Sequence, residues 1–328
     1  MAVASGEEIH GAGATFPAPV YAAWSAEYGR ATGIKVIYDP VGSGTGVERI
    51  RGRQVDFGAS DAPLTPQELE TSGLMQFPVI IGGVVPVINI SGIRPGQLQL
   101  TGAVLADIYL GKIHKWNDAS IASLNPRIPL PSANITVVHR SDASGTSLLW
   151  TGYLSHSNPA WAAAPGASIA PQWPAGIGGI GNEGVASYVQ RTRFAIGYVE
   201  YYFAREHRLS DVALRNRSGA FVRAGREGFS DAATAANWAA EGVTRQLATD
   251  SPGSGSWPIT GASFILISRS PQDGSQTRAV LRFFDWGLHH GAPTIRLLDY
   301  AVVPKELLEE LPLLWSTVRD GTGKALWP

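Results

Sequence analysis

The 328-residue sequence contains no cysteine, which excludes a disulfide bridge, a thiolate nucleophile and a zinc site built on cysteine. It also lacks an excess of either charge, because its formal net charge is −1 at pH 7. Nucleic-acid binding depends on many contacts from Lys and Arg to phosphates, and a chain without a basic field is not expected to make them. Any anion site in this protein must therefore be local.

Long hydrophobic runs are missing as well. The longest apolar stretch, 79–90 (VIIGGVVPVINI), is too short to span a bilayer and contains Pro86. The seven histidines have no metal-ligand spacing, so we expect no metal and no cofactor. The first residues, MAVASGEEIH, show no signal-peptide pattern. With 44% apolar and 16% charged residues, the composition predicts a soluble globular protein that is long enough for two domains.

Predicted strands and helices alternate in the first part of the chain. A helix is expected over 19–30, a strand over 34–38, a helix from 47 after the loop GSGTG, and a short strand over 55–61. This order predicts an α/β fold, with helices on both faces of a sheet. In such sheets ligands bind beyond the carboxyl ends of the strands, which is where the polar residues of this region stand.

The domain organisation follows from two stretches. The Val- and Ile-rich segment 77–90 is predicted to be a buried strand that crosses from one lobe to the other. The segment 250–258 (DSPGSGSWP) has the composition of a linker, and only two helices and one strand are predicted after it. That is too little for a separate domain. We therefore expect a discontinuous lobe I, 1–80 plus 259–328, and an inserted lobe II, 81–258.

Two glycine-bearing hydroxyl clusters stand where a strand is predicted to end and a helix to begin. One is 42–46 (GSGTG), and the other is 140–147 (RSDASGTS), after a predicted strand at 135–139. Free N–H groups and the helix dipole favour an anion at such junctions, although an ordinary turn or helix cap is the simpler interpretation of each alone. Together they predict two lobes that close on one small oxyanion. A third glycine-rich stretch, 172–182, is predicted to be loop.

Three charged residues refine this prediction. Arg140 can grip an oxyanion with two parallel hydrogen bonds, and Asp142 is placed to pair with it. Asp61 stands at the tip of its predicted strand, before Pro63. A carboxylate repels an anion unless the ligand carries a proton that it can donate, so Asp61 favours protonated phosphate over sulfate. Discrimination of this kind can reach about 10⁴- to 10⁵-fold.

These motifs resemble those of the periplasmic phosphate-binding proteins of the high-affinity phosphate ABC transporter, the PstS family. The matching stretches follow the family order along nearly the whole chain: GAGATFPAPVY (11–21), VDFGASDAPLT (55–65), FPVIIGGVVPVINI (77–90), DIYLGKIHKWND (107–118), HRSDASGTS (139–147), FAIGYVEY (194–201) and WPITGASFILI (257–267). One departure is Ala143, where the family commonly has glycine, and GSGTG also differs from the commoner family forms.

The resemblance implies a two-lobed periplasmic binding protein (venus flytrap) fold, in which each lobe is a central sheet flanked by helices and hinge strands run between them. It implies a non-enzymatic protein that takes inorganic phosphate from the periplasm to the membrane permease subunits of the transporter, and we expect a monomer. It implies Asp61 as the acceptor of the phosphate proton and Asp142 as the partner of Arg140. The implied phosphate donors are Thr15, Phe16 (through its N–H), Ser43, Arg140, Ser144, Gly145 and Thr146.

Two alternatives remain open at this stage. The site could bind another oxyanion, such as sulfate, arsenate or molybdate. The chain could also be a phosphate-ester hydrolase that uses Ser144 or Thr146 as nucleophile, although the sequence shows no metal cluster, no evident base and no G-x-S-x-G motif around Ser144.

Overall fold

The computed structural model describes residues 8–236, 251–271 and 274–328. The strands in these ranges are β1 (Glu8–Gly13), β2 (Lys35–Asp39), β3 (Phe57–Ser60), β4 (Leu74–Ile88), β5 (Gln99–Leu100), β6 (Thr136–Arg140), β7 (Ile177–Gly179), β8 (Ala195–Glu200), β9 (Ser210–Asp211), β10 (Ala213–Arg215), β11 (Phe221–Val222) and β12 (Thr260–Ser268). The helices are α1 (Ala18–Thr32), α2 (Ser43–Arg51), α3 (Pro66–Ser72), α4 (Gly102–Tyr109), α5 (Ala119–Ala122), α6 (Gly145–Ser157), α7 (Pro159–Ala163), α8 (Gly181–Arg191), α9 (Tyr201–Glu206), α10 (Arg226–Ala235), α11 (Gly274–His290), α12 (Ala292–Leu297) and α13 (Lys305–Trp315).

One sheet organises the molecule, with strand order β2-β1-β3-β12-β4-β8-β6-β7 and β9 paired to β4. Pairing is parallel between β1 and its neighbours β2 and β3, and between β6 and its neighbours β7 and β8. The strands β12 and β4 run antiparallel to their neighbours in the middle. The carboxyl ends of the parallel strands on the two sides carry the polar residues singled out above. A smaller sheet has the order β11-β10-β5.

Strand β4 belongs to both halves of this sheet. It is buried along all 15 residues, pairs with β12 as far as Gly83, and pairs with β8 from Val84 onward. This is the crossing strand expected from 77–90, and it gives the two-lobed α/β fold that the sequence predicts. We call the β2-β1-β3-β12 side the first lobe and the β8-β6-β7 side the second lobe.

The chain returns to the first lobe beside the crossing strand. Trp257 is completely buried, and its Nε1 donates a hydrogen bond to the Val84 carbonyl at 2.9 Å. The expected linker 250–258 is therefore packed against β4 in its described part, and Asp250 lies outside the described residues. The lobe limits at 80/81 and 258/259 stay a prediction.

Aromatic rings fill the core of the first lobe. In α1, Val20, Trp24 and Tyr28 share the buried face that was expected, and the helix ends at Gly33, which has a left-handed φ of 78°. Tyr21 meets Phe284 of α11 edge-to-face, with 5.7 Å between ring centroids. Such contacts hold the helices on the sheet. In the part of the chain that the structure describes, no helix combines the length and the apolar character needed to cross a membrane.

Three local predictions are wrong. The helix expected from 47 begins at Ser43, inside the GSGTG stretch. Gly46 in its first turn packs so closely on Gly13 that a Cβ there would lie 2.4 Å from the Gly13 Cα, so this position requires glycine. The stretch 172–182 is not all loop, since it contains β7 and the start of α8. Three helices, rather than two, follow β12 in the described ranges. In the first two cases tertiary contacts outweigh the weak intrinsic preference of glycine for regular structure.

Candidate functional site

The start of α2 brings Ser43 into the space between the lobes. Gly42 precedes it with a φ of 94°, which favours glycine, and the Gly42 N–H donates to the Gly13 carbonyl at 2.8 Å. The buried Ser43 Oγ accepts the N–H of Asp61 at 3.3 Å and the N–H of Gly145 at 3.0 Å. A hydroxyl oxygen has two acceptor lone pairs, so both are in use. The Ser43 proton is thereby left for a further acceptor.

Asp61 follows β3 directly and is only 1% exposed. Burial raises the pKa of its carboxyl to about 7, although the charge of Arg140 and the nearby hydroxyl of Ser263 oppose the rise. The Ser263 hydroxyl is near enough to lower this pKa, but neither it nor Asp61 Oδ1 makes a well-formed hydrogen bond among the described residues. A buried carboxyl oxygen without a donor is costly. Asp61 is therefore suited to a ligand that brings a proton.

Strand β6 ends in Arg140, whose side chain is 1% exposed. Its Nε donates to Asp142 Oδ1 at 2.7 Å, its Nη2 donates to Asp142 Oδ2, and Asp142 Oδ1 also accepts the Gly181 N–H at 3.1 Å. Burial alone would raise the pKa of Asp142, but these hydrogen bonds and the Arg140 charge hold it below its usual value. Arg140 Nη1 has no partner among the described residues. The guanidinium is thus neutralised on one side and has donors to spare on the other.

Aromatic side chains fix the backbone on either side of this guanidinium. The Arg140 N–H donates to the Tyr198 hydroxyl at 3.2 Å, and the Arg140 carbonyl accepts Trp173 Nε1 at 3.0 Å. Tyr198 in turn shares a 2.6 Å hydrogen bond with Ser147 Oγ and stacks on Trp150, with centroids 4.9 Å apart. The position of Arg140 is therefore set by the second lobe itself.

The first turn of α6 supplies the second hydroxyl cluster. Ser144 is the N-cap, and its Oγ accepts the Ser147 N–H at 3.2 Å. Gly145 donates its N–H to Ser43 Oγ. A Cβ on Gly145 would lie 2.5 Å from the Asp61 Cβ. Only glycine allows this approach. Thr146 is completely buried, and its N–H has no acceptor within the helix because it lies in the first turn.

The loop after β1 contributes Thr15 and Phe16. Thr15 Oγ1 accepts a hydrogen bond from Asn182 Nδ2 at 2.8 Å. The Phe16 carbonyl accepts the hydroxyl proton of Tyr300, with 2.7 Å between the oxygens, and the Phe16 ring is completely buried. Both residues of this loop are therefore held by side chains from distant parts of the sequence.

The sequence prediction missed Asn182. It is completely buried at the start of α8 and contacts Thr15 in the first lobe and Thr146 in the second. The stretch 172–182 was predicted to be loop, which hid it. The signal that could have revealed Asn182 is its place at the end of a glycine-rich segment, directly before a helical pattern.

The predicted residues of the two lobes meet directly. The Gly145 N–H donates to Ser43 Oγ. The side-chain NH₂ group of Asn182 donates to the hydroxyls of both Thr15 and Thr146. The lobes also touch at the Gly44 N–H, which donates to the Ala143 carbonyl at 3.0 Å. Ala143 has no positive φ, so the turn closes without the glycine that the family commonly has there. Phe16 is tied to the second lobe through Tyr300, whose hydroxyl also contacts Glu200.

This arrangement suits a small anion that carries a proton. It offers one neutralised cation, one acidic acceptor and several hydroxyl and backbone donors. In the part of the chain that the structure describes, no group of three or more His, Asp or Glu residues could hold a metal ion. Ser144 Oγ accepts a backbone N–H, and Thr146 Oγ1 accepts an amide proton, so neither contact is with a base that could activate a nucleophile.

The chain matches a family model and named relatives along most of its length. The family described as "PBP superfamily domain" matches residues 3–287. The chain is 46% identical over 322 residues to the phosphate-binding protein PstS of Pasteurella multocida, which covers 98% of this chain and 94% of that protein. It is 45% identical over 314 residues to the phosphate-binding protein PstS of Haemophilus influenzae, with 96% and 94% covered.

Solved structures share the fold at low sequence identity. A high-affinity periplasmic phosphate-binding protein, PfluDING, solved with bound phosphate, has a TM-score of 0.74 and 20% identity, with 93% of each chain covered. A putative phosphate ABC transporter substrate-binding protein from Clostridium perfringens, also solved with phosphate, has a TM-score of 0.63 and 18% identity, with 91% of this chain and 100% of that chain covered. At these identities the likeness concerns the fold alone.

Proposed function

Because this chain belongs to the PstS family within the PBP superfamily, we propose that it is a solute-binding protein that captures inorganic phosphate between its lobes and passes it to the membrane permease of a phosphate ABC transporter. We assign the ligand contacts to the residues predicted above. The donors are Thr15, Phe16, Ser43, Arg140, Ser144 and Thr146, the acceptor is Asp61, and Asp142 orients the guanidinium. Gly145, predicted as a further donor, gives its N–H to Ser43 Oγ in this structure and could donate to the ligand only by leaving that oxygen.

One observation carries this proposal. Two buried polar atoms of opposite character, Arg140 Nη1 and Asp61 Oδ1, both lack a hydrogen-bond partner among the described residues. Buried polar groups in folded proteins are normally paired, so an unpaired donor and an unpaired acceptor at one site point to a ligand. Hydrogen phosphate can pair with both atoms, because its oxygens accept from Arg140 Nη1 while its hydroxyl donates to Asp61 Oδ1.

The acceptor also separates phosphate from sulfate. Sulfate has no proton to donate near neutral pH, so its binding would leave Asp61 Oδ1 facing an anion. Asp61 therefore favours phosphate over sulfate and molybdate. Arsenate carries a proton in the same way, and Asp61 does not discriminate against it.

We assign no catalytic role to this site. A phosphate-ester hydrolase would need a base beside Ser144 or Thr146, and the hydroxyl contacts described above are with a backbone N–H and an amide. Incubation with an aryl phosphate ester tests this: we expect no release of the phenol above the background rate. Turnover that follows the protein through purification would support the hydrolase instead.

The lobes are expected to move about the crossing strand β4. Ligand binding would favour the closed arrangement, in which Gly44 and Ala143 touch, by stabilising it relative to an open one. The proposed lobes are 1–80 plus 259–328 and 81–258, and the proposed permease contacts are the outer rims of both. We place the protein in the periplasm, as its family implies, and expect a monomer.

A two-step experiment tests the proposal. The purified protein is denatured and the released phosphate is measured, and the refolded protein is then titrated with phosphate by calorimetry. We expect one phosphate per chain in the titration. Refolded protein with native circular dichroism that takes up no phosphate would contradict the function proposed here.

A further inference from the structure

Asn182 lies where the two lobes meet and touches a hydroxyl on each side. Its Nδ2 donates to Thr15 Oγ1 at 2.8 Å and to Thr146 Oγ1 at 3.4 Å. Its backbone N–H reaches the same Thr15 oxygen at 3.3 Å. The side chain is completely buried, so these contacts are made without competition from bulk water.

The orientation of the amide is fixed by a backbone donor. The Glu200 N–H donates to Asn182 Oδ1 at 2.9 Å. An N–H group cannot accept a hydrogen bond, so the amide oxygen must face Glu200 and the NH₂ group must face the two threonines. The two Nδ2 protons are then directed to the two hydroxyl oxygens.

This orientation decides whether the Thr15 hydroxyl acts as a hydrogen-bond donor or acceptor toward a ligand. A hydroxyl has one proton and two lone pairs, and Thr15 Oγ1 receives both the Nδ2 proton and the backbone N–H of Asn182. With both lone pairs occupied, the hydroxyl can act only as a donor. Thr146 Oγ1 receives the remaining amide proton, which biases it in the same direction.

We propose that Asn182 is a positioning residue of the anion site, which makes the hydroxyls of Thr15 and Thr146 donate their protons to the ligand. The inference rests on the proposed function, since the ligand is the phosphate assigned above. Donor-only hydroxyls suit an anion, whose oxygens can only accept, apart from the single phosphate hydroxyl that Asp61 receives. Through Asn182, two neutral residues in different lobes, Thr15 and Thr146, also favour an anion as the ligand.

The first test reverses the polarity with little change of shape. In Asn182→Asp a carboxylate oxygen replaces Nδ2 and accepts the protons of Thr15 and Thr146, so they are lost to the ligand. We expect phosphate affinity to fall by about 100-fold or more at neutral pH. The ratio of variant to wild-type Kd should shrink as pH is lowered, because the introduced carboxyl, once protonated, can donate one of the lost hydrogen bonds. A ratio that stays constant with pH would indicate a structural effect only and overturn the inference.

Asn89 offers a matched control for stability. Its Nδ2 donates to the carbonyls of Val189 and Gln190, at the other end of α8. Asn89→Asp also removes two amide donor contacts to α8 and adds a charge. We expect this variant to unfold more easily while its Kd for phosphate stays within about twofold of wild type.

A double-mutant cycle that introduces no charge keeps the inference testable if Asn182→Asp does not fold. Thr15→Val removes the hydroxyl, and Asn182→Ser removes the Nδ2 donors without adding charge. If Asn182 acts through that hydroxyl, each single change should cost about tenfold in affinity, and the double variant should lose clearly less than the product of the two losses. Thr15→Ser should retain most of the wild-type affinity. Additive losses would overturn the inference.

The controls also separate this inference from the proposed function. Wild-type protein that fails to bind phosphate rejects the function itself. Wild-type protein that binds phosphate, together with Asn182 variants of unchanged affinity, rejects only the role of Asn182.

Discussion

Arg140 and Asp142 are joined by two parallel hydrogen bonds, Nε to Oδ1 at 2.7 Å and Nη2 to Oδ2. The pair leaves Nη1 as the unpaired donor on the guanidinium. Because Asp142 cancels the charge of Arg140, the site can admit an anion without a strong positive field. The planar geometry also explains why the cation is an arginine, since a lysine cannot make both contacts with Asp142 and keep a donor facing the site.

Arg140→Ala is expected to weaken phosphate binding by at least about 100-fold, because it removes a charge-assisted hydrogen bond in a buried site. Arg140→Lys should recover only part of the loss, since it restores charge but not the fixed fork of donors. Titration calorimetry on folded variants measures both. Unchanged affinity in Arg140→Ala would remove this residue from the site.

Asp61→Asn is expected to relax the discrimination against sulfate. The introduced amide can turn its NH₂ group toward an oxyanion, whereas the wild-type carboxylate accepts only from a ligand that has a proton. The measurement is the ratio of the Kd for sulfate to that for phosphate, which should fall by about 100-fold or more in the variant. A ratio equal to that of wild type would show that Asp61 does not select the ligand.

Gly44→Ala tests closure of the lobes. A Cβ on Gly44 would lie 2.5 Å from the Ala143 Cβ across the cleft, so the two lobes could not approach as they do here. Alanine is favoured over glycine inside a helix by about 0.5–1 kcal/mol, so the free energy of unfolding without ligand should not fall. We therefore expect weaker phosphate binding without loss of stability.

Gly152 provides the control for this substitution. It lies inside α6, and a Cβ there would have nothing within 4 Å beyond its own helix and chain neighbours. Gly152→Ala should leave the Kd for phosphate unchanged. If Gly44→Ala binds phosphate as tightly as Gly152→Ala does, the interlobe contact plays no part in binding.

Glu200, at the end of β8, is a buried carboxyl that contacts the Tyr300 hydroxyl. The Tyr300 hydroxyl lies 2.7 Å from both the Phe16 carbonyl and Glu200 Oε2, and it has one proton for the two oxygens. A protonated Glu200 resolves the conflict, because it donates to Tyr300, which then donates to Phe16. Burial, which is complete, raises the pKa of Glu200 well above its ordinary value of 4.5.

Glu200→Gln is expected to stabilise the protein as pH rises. Since the folded state binds this proton more tightly than the unfolded state, the contribution of Glu200 to wild-type stability is fully present below about pH 4.5. It is lost as pH rises toward the folded-state pKa, by up to about 1.4 kcal/mol per pH unit. Glutamine cannot ionise, so its contribution does not change over this pH range. Its NH₂ group can donate to Tyr300 but cannot also accept the Tyr202 N–H, as Glu200 Oε2 does, so a loss of stability that is independent of pH is expected beside the gain. Urea unfolding at about pH 5 and about pH 8 should show the variant gaining on wild type. A constant difference would mean that Glu200 has an ordinary pKa in the fold.

The sequence predicted those parts of the site that depend on local pattern. Arg140 and the serine and threonine that follow it stand between a strand and a helix with clear periodicity, and Asp61 ends a short apolar strand. These signals lie within a few residues of one another. The crossing strand β4 could be predicted for the same reason, as one continuous run of buried residues.

Contacts between distant residues could not be predicted. The Ser43 hydroxyl accepts an N–H from Gly145, more than a hundred positions away, and this depends on the closed arrangement of the lobes. In α2, Gly46 packs against Gly13 of a neighbouring strand, a contact that the glycine pattern of the sequence does not reveal. Asn182 was missed because a glycine-rich stretch has little intrinsic preference, and only its pairing with β6 makes part of it a strand.

The most direct test of the account compares two anions of similar shape and different protonation. Ligand-free wild-type protein is titrated with phosphate and with sulfate at about pH 8, where Asp61 is largely ionised because its pKa is about 7. We predict one phosphate bound per chain and sulfate binding weaker by at least about 10³-fold. Sulfate that binds as tightly as phosphate would contradict a site built around a proton-accepting carboxylate.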